Sequence, residues 1–155
     1  MKRERATFAM GCFWKPQKLF DSINGVIKTE VGYMGGDEKN YPNPSYEQVC
    51  SNKTGYAEVV QIIFDSKKVG YEQLLKIFWE NHNPTQANRQ GVDIRSQYRS
   101  VVFYYNNGQK TIAEKSKKHI QKNFDRPITT EIVKSSTFYK AEEYHQKYLD
   151  KRDFC

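Results

Sequence analysis

The stretch at residues 6–23, ATFAMGCFWKPQKLFDSI, decides how this chain begins to fold. Residues 6–10 are mostly apolar and predict a short β-strand. Pro16 suits the first turn of a helix, and the apolar residues after it recur at helical spacing, which predicts a helix that runs to about Ile23. Cys12 therefore follows a glycine turn, at the point where a strand passes into a helix.

Cys12 is the first candidate for chemistry. Backbone N–H groups at the beginning of a helix have no intrahelical partners, and the positive end of the helix dipole lies there. Both effects favour the thiolate over the thiol, so the position predicts a nucleophilic cysteine. The alternative is a small buried core residue, with Phe13 and Trp14 as ordinary packing.

Length and composition indicate one domain. A chain of 155 residues buries roughly two-thirds of its unfolded surface, and aromatic residues make up 14% of this one, so large side chains can build its core. We expect a single catalytic domain over residues 1–155, with a mobile C-terminal tail at about residues 150–155. The three cysteines, at positions 12, 50 and 155, suit neither a disulfide framework nor a zinc site, and we expect no metal and no cofactor.

Charge and hydropathy bear on the location and the partners of the protein. No apolar run approaches the ~20 residues of a membrane span, and the one near the basic N-terminus is too short for a signal peptide, so we expect a cytoplasmic protein without membrane contact. The net charge of +7 raises the alternative of a nucleic-acid partner. The basic residues, however, concentrate where apolar residues recur at helical spacing, which is typical of the solvated face of an amphipathic helix, and no nucleic-acid-binding motif accompanies them. They are Lys110, Lys115, Lys117, Lys118, Lys122 and Arg126.

Strand and helix signals alternate along the chain. Further strands are predicted over residues 26–33, 56–64, 100–105 and near 129–133. Helices are predicted over residues 45–50, from 70 to about 83, over the lysine-rich segment and over 141–149, with a polar loop over 85–96. This pattern predicts an α+β fold, which we expect to be a two-layer sandwich: a mixed β-sheet covered by helices, with a ferredoxin-like core.

One predicted strand carries a carboxylate on an apolar face. Glu58 has the same parity as Val60, Ile62 and Phe64, so these side chains point the same way. Desolvation on such a face raises the pKa of a carboxyl group, which makes Glu58 a candidate general acid. The alternative is a glutamate at the end of a strand, in contact with water.

Three loop residues are weaker candidates. Tyr46 follows a proline-containing loop and Tyr98 ends the polar loop, and a tyrosine hydroxyl can donate a hydrogen bond to a developing oxyanion. Asp93 precedes Tyr98 and has the alternative role of a turn residue. The chain has 11 tyrosines, so neither tyrosine is decisive by itself.

Taken together, these motifs resemble a known family. The run Gly11-Cys12-Phe13-Trp14 resembles the signature of the A-type peptide methionine sulfoxide reductases. Further blocks follow in family order, and the resemblance covers nearly the whole chain, from about residue 6 to about residue 155. The blocks are VGYMGG at 31–36, NPSYEQVC at 43–50, TGYAE at 54–58, FWENHNP at 78–84, QYRS at 97–100 and EYHQKY at 143–148.

The resemblance implies the reduction of methionine-S-sulfoxide to methionine, in proteins and as the free amino acid, for the repair of oxidative damage. Cys12 would match the nucleophile that attacks the sulfur, and Glu58 the acid that protonates the oxygen. Tyr46 and Tyr98 would match hydrogen-bond partners of that oxygen. The preference for the S epimer comes from the resemblance alone.

The resemblance also implies a substrate pocket. Phe13 and Trp14 would enclose the methyl group of the substrate, and Asp93 would match an acid near the bound substrate or its water. We expect the enzyme to act as a monomer. The sequence itself does not identify the substrate proteins.

The implied chemistry leaves Cys12 as a sulfenic acid, which a second thiol must resolve. The resemblance implies this role for Cys155, through a Cys12–Cys155 disulfide that thioredoxin reduces, and a mobile tail suits it. Cys50 is the rival resolver, and an incidental terminal cysteine is the alternative for Cys155. The chain lacks the glycine-rich tail and second recycling cysteine of many members, which predicts a cycle with one resolver.

Two residues near the nucleophile depart from the family pattern. Lys15 stands where a glycine is common, and Gln17 where a glutamate is common. Lys15 would lower the pKa of Cys12 further or favour acidic substrates.

Other function classes stay open at this point. In a thiol peroxidase or redox sensor, Cys12 would react with peroxide and be indifferent to sulfoxides. In a basic binding module, the lysine face would bind nucleic acid in a salt-dependent way, whatever replaces Cys12. A cysteine hydrolase needs a histidine base, and His82, His119 and His145 all lie far from Cys12 in the sequence.

Overall fold

A mixed six-stranded sheet forms the centre of the computed structural model, which describes residues 2–87, 89–90, 93–94 and 96–149. The strands are β1 (Arg3–Met10), β2 (Val26–Met34), β3 (Ala57–Asp65), β4 (Arg89–Gln90), β5 (Asp93–Ile94), β6 (Ser100–Tyr104), β7 (Glu131–Lys134) and β8 (Tyr139–Lys140). The helices are α1 (Trp14–Asp21), α2 (Tyr46–Cys50), α3 (Tyr71–Glu80) and α4 (Asn107–Ile120). Short 3-10 turns lie at Ser96–Tyr98, Gln121–Asn123 and Glu143–His145.

The strand order of the sheet is β7-β6-β1-β3-β2-β8, and β4 and β5 form a separate ribbon. All neighbours in the large sheet are antiparallel except β6 and β7, which are parallel. The register of β2 and β3 places Tyr33 directly opposite Glu58. Because opposite residues of an antiparallel pair share a face, these two polar groups point to the same side of the sheet.

Both faces of the central strands are covered. On one face Phe8 packs with Phe78 of α3, with ring centroids 5.0 Å apart, in a cluster that extends to Phe20 of α1 and Ala113 of α4. Full burial of a large apolar side chain contributes about 1.5–3 kcal/mol, so this face stabilises the domain most strongly. The other face carries a smaller apolar cluster, against which Phe138 packs. Within the described part of the chain, no helix is long and apolar enough to cross a membrane.

The structure confirms an α+β fold with a mixed sheet, and it corrects two predicted segments. The predicted loop over residues 85–96 contains β4 and β5, which are too short to produce a clear alternation of side chains. The predicted helix over residues 141–149 is absent from residues 141–147. There the chain makes the 3-10 turn Glu143–His145, and Lys147 has a φ of 57°, which interrupts any regular helix.

Hydrogen bonds to the sheet and to α1 explain why residues 141–147 do not form a regular helix. The Ala141 N–H donates to the Val31 carbonyl at 2.9 Å. The Gln146 amide accepts from the Val31 N–H at 3.0 Å and donates to the Val31 carbonyl at 2.8 Å. The Lys147 N–H donates to Gln17 Oε1 at 2.7 Å. These contacts outweigh the helical pattern, since each satisfies a polar group that is wholly or partly buried.

Glu142 joins this segment to two tyrosines. Its carboxylate accepts a hydrogen bond from the Tyr33 hydroxyl at 3.0 Å and another from the Tyr46 N–H at 2.9 Å. Burial alone would raise the pKa of Glu142, but the hydrogen bonds from Tyr46 and Tyr33 outweigh burial and lower the pKa below its ordinary value. The carboxylate is therefore ionised at neutral pH and holds β2, α2 and the C-terminal segment together.

The substitution Glu142→Gln tests how much the hydrogen bonds to the Glu142 carboxylate contribute to stability. Hydrogen bonds to a charged group are worth about 1.5–3 kcal/mol, so we expect a loss of roughly that size in the free energy of unfolding at pH 7. The folded-state pKa lies below the unfolded value of about 4.3, so the stability from the carboxylate is complete above that pH and is lost as the pH falls through the folded pKa. Urea unfolding at pH 7 and pH 3 should thus show the difference from the parent chain shrinking at pH 3.

The exposed neighbour Glu143 provides the matched control. Glu143→Gln should change the stability by no more than about 0.5 kcal/mol at either pH. An equal loss for Glu142→Gln at both pH values would show that the charge of Glu142 does not matter.

Candidate active site

The turn before α1 presents Cys12 at the edge of the sheet. Gly11 has a φ of 95°, a left-handed conformation that glycine adopts without the cost of a Cβ, and Phe13 is the N-cap of α1. Cys12 is half-buried and borders a cavity of about 210 Å³. A thiol that borders a cavity differs from the fully buried core cysteine that the sequence left as an alternative.

A hydrogen bond ties this turn to Glu58. The Phe13 N–H, next to Cys12 in the chain, donates to Glu58 Oε1 at 3.3 Å. The Glu58 side chain is 1% exposed, on the same face as Val60 and Ile62. The parity argument therefore located Glu58 correctly, and the alternative of a glutamate in water is wrong. Burial in such surroundings favours the neutral form of a carboxyl group.

Tyr46 lies close to both Glu58 and Tyr98. Burial raises the pKa of Tyr46, and a hydrogen bond with Cys50 and the proximity of Tyr98 and Glu58 raise it further. The Tyr46 hydroxyl therefore keeps its proton at neutral pH and can donate a hydrogen bond. Ser45 fixes the start of α2, since its hydroxyl accepts from the Gln48 N–H in a capping box.

Cys50, at the end of α2, forms a hydrogen bond with the Tyr46 hydroxyl. The Gln97 side-chain amide donates to Cys50 Sγ at 3.2 Å, and Gln97 itself is fully buried. The Cys50 thiol is thus held between the Tyr46 hydroxyl and Gln97. This arrangement makes Cys50 a support for Tyr46.

An aromatic group surrounds the two residues after Cys12. Phe13 is buried against Tyr33 and His145, with ring centroids 5.8 and 5.2 Å apart. The Trp14 indole stacks on Tyr148 at 3.8 Å, and its N–H donates to His145 Nδ1 at 3.0 Å. The result is an apolar surface beside the nucleophile, held in place by hydrogen bonds to the C-terminal segment.

His145 connects the aromatic group to Tyr46. Its ring is 4.4 Å from the Tyr46 ring, centroid to centroid, and is almost completely buried. Because Nδ1 accepts from Trp14, the hydrogen-bond network assigns the ring proton to Nε2. Burial lowers the pKa of His145, partly opposed by the charge of Glu142, so the ring is neutral at pH 7.

Sequence reasoning left the role of His145 open and did not single out four neighbours of the site. These are Tyr33, Gln97, Glu142 and Tyr148. Tyr33 had a usable signal, because it shares its parity with Val31 on a strand. Gln97 and Tyr148 lie in two of the blocks that resemble the family, whereas Glu142 lies outside them. The contacts of all three span 47 residues or more along the chain, so no local pattern predicts those contacts.

The structure does not describe the side chains of two predicted site residues. Asp93 begins β5, but its side chain is not among the described parts. Cys155 and the predicted tail at about residues 150–155 fall outside the described residues.

His82 lines the same cavity as Cys12, but its bonding does not suit a catalytic base. The His82 Nδ1–H donates a hydrogen bond to the Phe78 carbonyl at 2.6 Å. The other ring nitrogen, Nε2, is hydrogen-bonded to the Ser100 hydroxyl at 2.7 Å. Burial lowers the pKa of His82 to about 4, so the ring is neutral at pH 7.

The described residues include no group of three or more histidine, cysteine, aspartate or glutamate side chains that could hold a metal ion.

Comparison with known proteins identifies the family. Residues 4–154 match the family model for peptide methionine sulfoxide reductase. A peptide methionine sulfoxide reductase MsrA of Methanococcus maripaludis is 53% identical over 152 residues, 98% of this chain and 95% of the relative. The reduced form of Mxr1 from Saccharomyces cerevisiae matches with a TM-score of 0.93 at 36% identity, over 98% of this chain and 87% of Mxr1. Mxr1 in complex with Trx2 shares the fold, with a TM-score of 0.66 at 23% identity over 95% of this chain and 85% of that one. The chain belongs to the peptide methionine sulfoxide reductase family.

Proposed function

We propose that this protein reduces methionine-S-sulfoxide to methionine, in proteins and as the free amino acid, through the Cys12 thiol. The observation that carries the proposal is the hydrogen bond from the Phe13 N–H to Glu58. It brings a buried carboxyl group to the turn that holds the thiol, in a chain of the reductase family. Tyr46, which lies near that carboxyl group, and Tyr98, which lies near Tyr46, complete the set of groups that we propose for the reaction.

The reaction needs a nucleophile and an acid together. A sulfoxide oxygen leaves poorly unless it is protonated, so Cys12 attacks the substrate sulfur while Glu58 gives its proton to the oxygen. The hydroxyl groups of Tyr46 and Tyr98 donate hydrogen bonds to that oxygen as its negative charge grows. The attack forms a bond between Cys12 Sγ and the substrate sulfur. The protonated oxygen then passes from the substrate sulfur to Sγ as a hydroxyl group, while that sulfur–sulfur bond breaks and methionine leaves. Cys12 becomes a sulfenic acid, so the thiol is oxidised by two electrons as the sulfoxide is reduced.

We assign the substrate methyl group to the aromatic surface beside Cys12. Phe13 and Trp14 supply the surface, and the hydrogen bond from the Trp14 indole to His145 fixes its orientation. An apolar wall of this kind excludes water and positions the methyl group by packing. Asp93 is proposed as the acid near the bound substrate, on the basis of the family resemblance.

Recycling is assigned to Cys155. Its thiolate would attack the sulfur of the Cys12 sulfenic acid, so that an S–S bond forms and the oxygen leaves as water. The described chain ends at Leu149, next to Tyr148, which stacks on Trp14, and Cys155 is six residues further on. Six extended residues span at most about 20 Å, which is enough to return to the turn. Thioredoxin, a dithiol, would then reduce the Cys12–Cys155 disulfide and become oxidised itself. The structure of the related Mxr1 has been solved in complex with Trx2.

We also infer a ferredoxin-like core at the centre of the sheet. Its support is the strand order β6-β1-β3-β2, with α1 between β1 and β2 and α3 between β3 and β6. The single domain over residues 1–155, the monomeric state and the cytoplasmic location stay predictions from the sequence.

The first experiment measures the reduction of separated S and R epimers of a methionine sulfoxide peptide, with dithiothreitol as the reductant. We expect turnover of the S epimer alone and none with Cys12→Ser, because a hydroxyl cannot replace the thiolate. Cys155→Ser is the control and should retain turnover, because dithiothreitol can attack the sulfenic acid directly. If the folded, reduced protein acts on neither epimer but consumes peroxide, the protein is a thiol peroxidase and the proposal fails.

Replacing Glu58→Gln removes the proton that the sulfoxide oxygen needs. General acid catalysis contributes about 10²- to 10⁴-fold, so we expect kcat to fall by that range in single-turnover measurements. Glu47, exposed on α2, is the matched control, and Glu47→Gln should keep the parent rate. A Glu58→Gln enzyme with the parent rate would remove Glu58 from the chemical step.

Replacing Cys155→Ser tests the resolving step. The variant should release one equivalent of methionine per Cys12, accumulate a dimedone-reactive sulfenic acid and then stall with thioredoxin. Dithiothreitol should restore its turnover, because a small thiol can attack the sulfenic acid directly. Unchanged steady-state turnover of Cys155→Ser with thioredoxin would exclude Cys155 as the sole resolving cysteine. Loss of turnover with thioredoxin in Cys50→Ser, with turnover retained in dithiothreitol, would then identify Cys50 as the resolving cysteine.

A further inference from the structure

Cys12 borders a second space that the proposed chemistry does not use. The cavity of about 210 Å³ beside it is lined by Cys12, Lys15, Pro16, Leu19, Asn81 and His82, among others. The described residues that line this cavity include none of the side chains that we assign to the oxygen or to the methyl group of the substrate. Its volume is about seven times the ~30 Å³ that one water molecule occupies in the liquid, which is enough for a short side chain.

The charge in this cavity comes from Lys15. Among the described residues that line it, Lys15 is the only one with a formal charge other than a Cys12 thiolate, since the His82 ring is neutral. The first turn of α1 carries no acidic residue that would offset the charge. The cavity therefore attracts a negative group close to the reacting thiol.

Lys15 is available for a ligand. Its side chain is exposed, and within the described part of the chain it makes no ion pair or hydrogen bond. Other lysines near β2 and α1 are paired: Lys140 contacts Glu30 at 3.1 Å, and Lys147 contacts Asp21 at 2.5 Å. Lys15 thus carries a charge without an ion-pair partner among the described residues, and it lines the same cavity as Cys12.

We propose that this cavity binds a carboxylate that the substrate carries next to its sulfoxide, with Lys15 as the residue that recognises it. The carboxylate is the side chain of an aspartate or glutamate beside the oxidised methionine, or the α-carboxylate of free methionine sulfoxide. The inference rests on the proposed function, and it specifies the substrates that the enzyme prefers. Lys15 determines specificity and takes no part in the transfer of oxygen.

The experiment compares kcat/KM for matched peptides in which glutamate, glutamine or lysine adjoins the methionine-S-sulfoxide on either side, with dithiothreitol as the reductant. An exposed ion pair is worth little, so we expect the parent enzyme to prefer glutamate over glutamine by roughly two- to fivefold, and to lose the preference in high salt. Lys15→Gln should abolish the preference, and Lys15→Glu should reverse it in favour of the lysine peptide. Lys18→Gln, on the same helix but outside the cavity, should preserve it.

A second arm distinguishes the source of the carboxylate. Free methionine-S-sulfoxide is compared with its amide, which lacks the negative charge. If Lys15→Gln removes a preference for the free acid, the α-carboxylate is a ligand; if it changes the peptides alone, the ligand is the acidic side chain. Either result supports recognition of a carboxylate.

The outcomes separate the two proposals. If the parent enzyme does not reduce the glutamine peptide, the proposed function itself fails. If it reduces that peptide but shows no preference for glutamate, or keeps the preference in Lys15→Gln, the carboxylate site is wrong. An equal slowing of all three peptides in Lys15→Gln, together with a shifted pH profile for alkylation of Cys12, would show that Lys15 acts on the thiol and would also overturn the proposal.

Discussion

The hydrogen bond between the Phe13 N–H and Glu58 is the contact on which the arrangement of the site depends. It joins the turn that carries Cys12 to the middle of the sheet, so the thiol and the buried carboxyl group hold a fixed relation. Glu58 lies on a strand paired on both sides, with β1 and β2. Glu58 is 1% exposed, and burial of this kind favours the protonated form of a carboxyl group, which suits the role that we propose for it.

The C-terminal segment completes the site from a distance. Glu142 holds Tyr33 and the start of α2, while His145 and Tyr148 hold the Trp14 indole. Most buried polar groups in proteins are hydrogen-bonded, and the bonds of Glu142 and His145 also orient Tyr33, Tyr46 and Trp14. The neutral ring of His145 matters for the same reason, because an uncharged ring can lie buried among Phe13, Trp14 and Tyr46.

Much of this could be predicted from local pattern. Alternation in one strand located Glu58 on an apolar face, and the glycine turn before Pro16 located Cys12 between a strand and a helix. The helix that the same kind of reasoning predicted to begin at Ala141 was wrong over residues 141–147. The Lys147 backbone N–H donates to Gln17, so it cannot also donate to a carbonyl one helical turn earlier, and the Gln146 side chain is fixed to Val31.

The sequence by itself determined the α+β class, the place of Cys12 between a strand and a helix, the burial of Glu58 and the resemblance to the reductase family, because strand alternation and the motifs are local. Only the tertiary structure decided that His145 orients Trp14, that Glu142 joins Tyr33 to Tyr46, and that Lys15 and Cys12 line one cavity with Asn81 and His82. These relations connect residues far apart in the chain, and they are set by the order and register of the strands. No periodicity in the sequence encodes them.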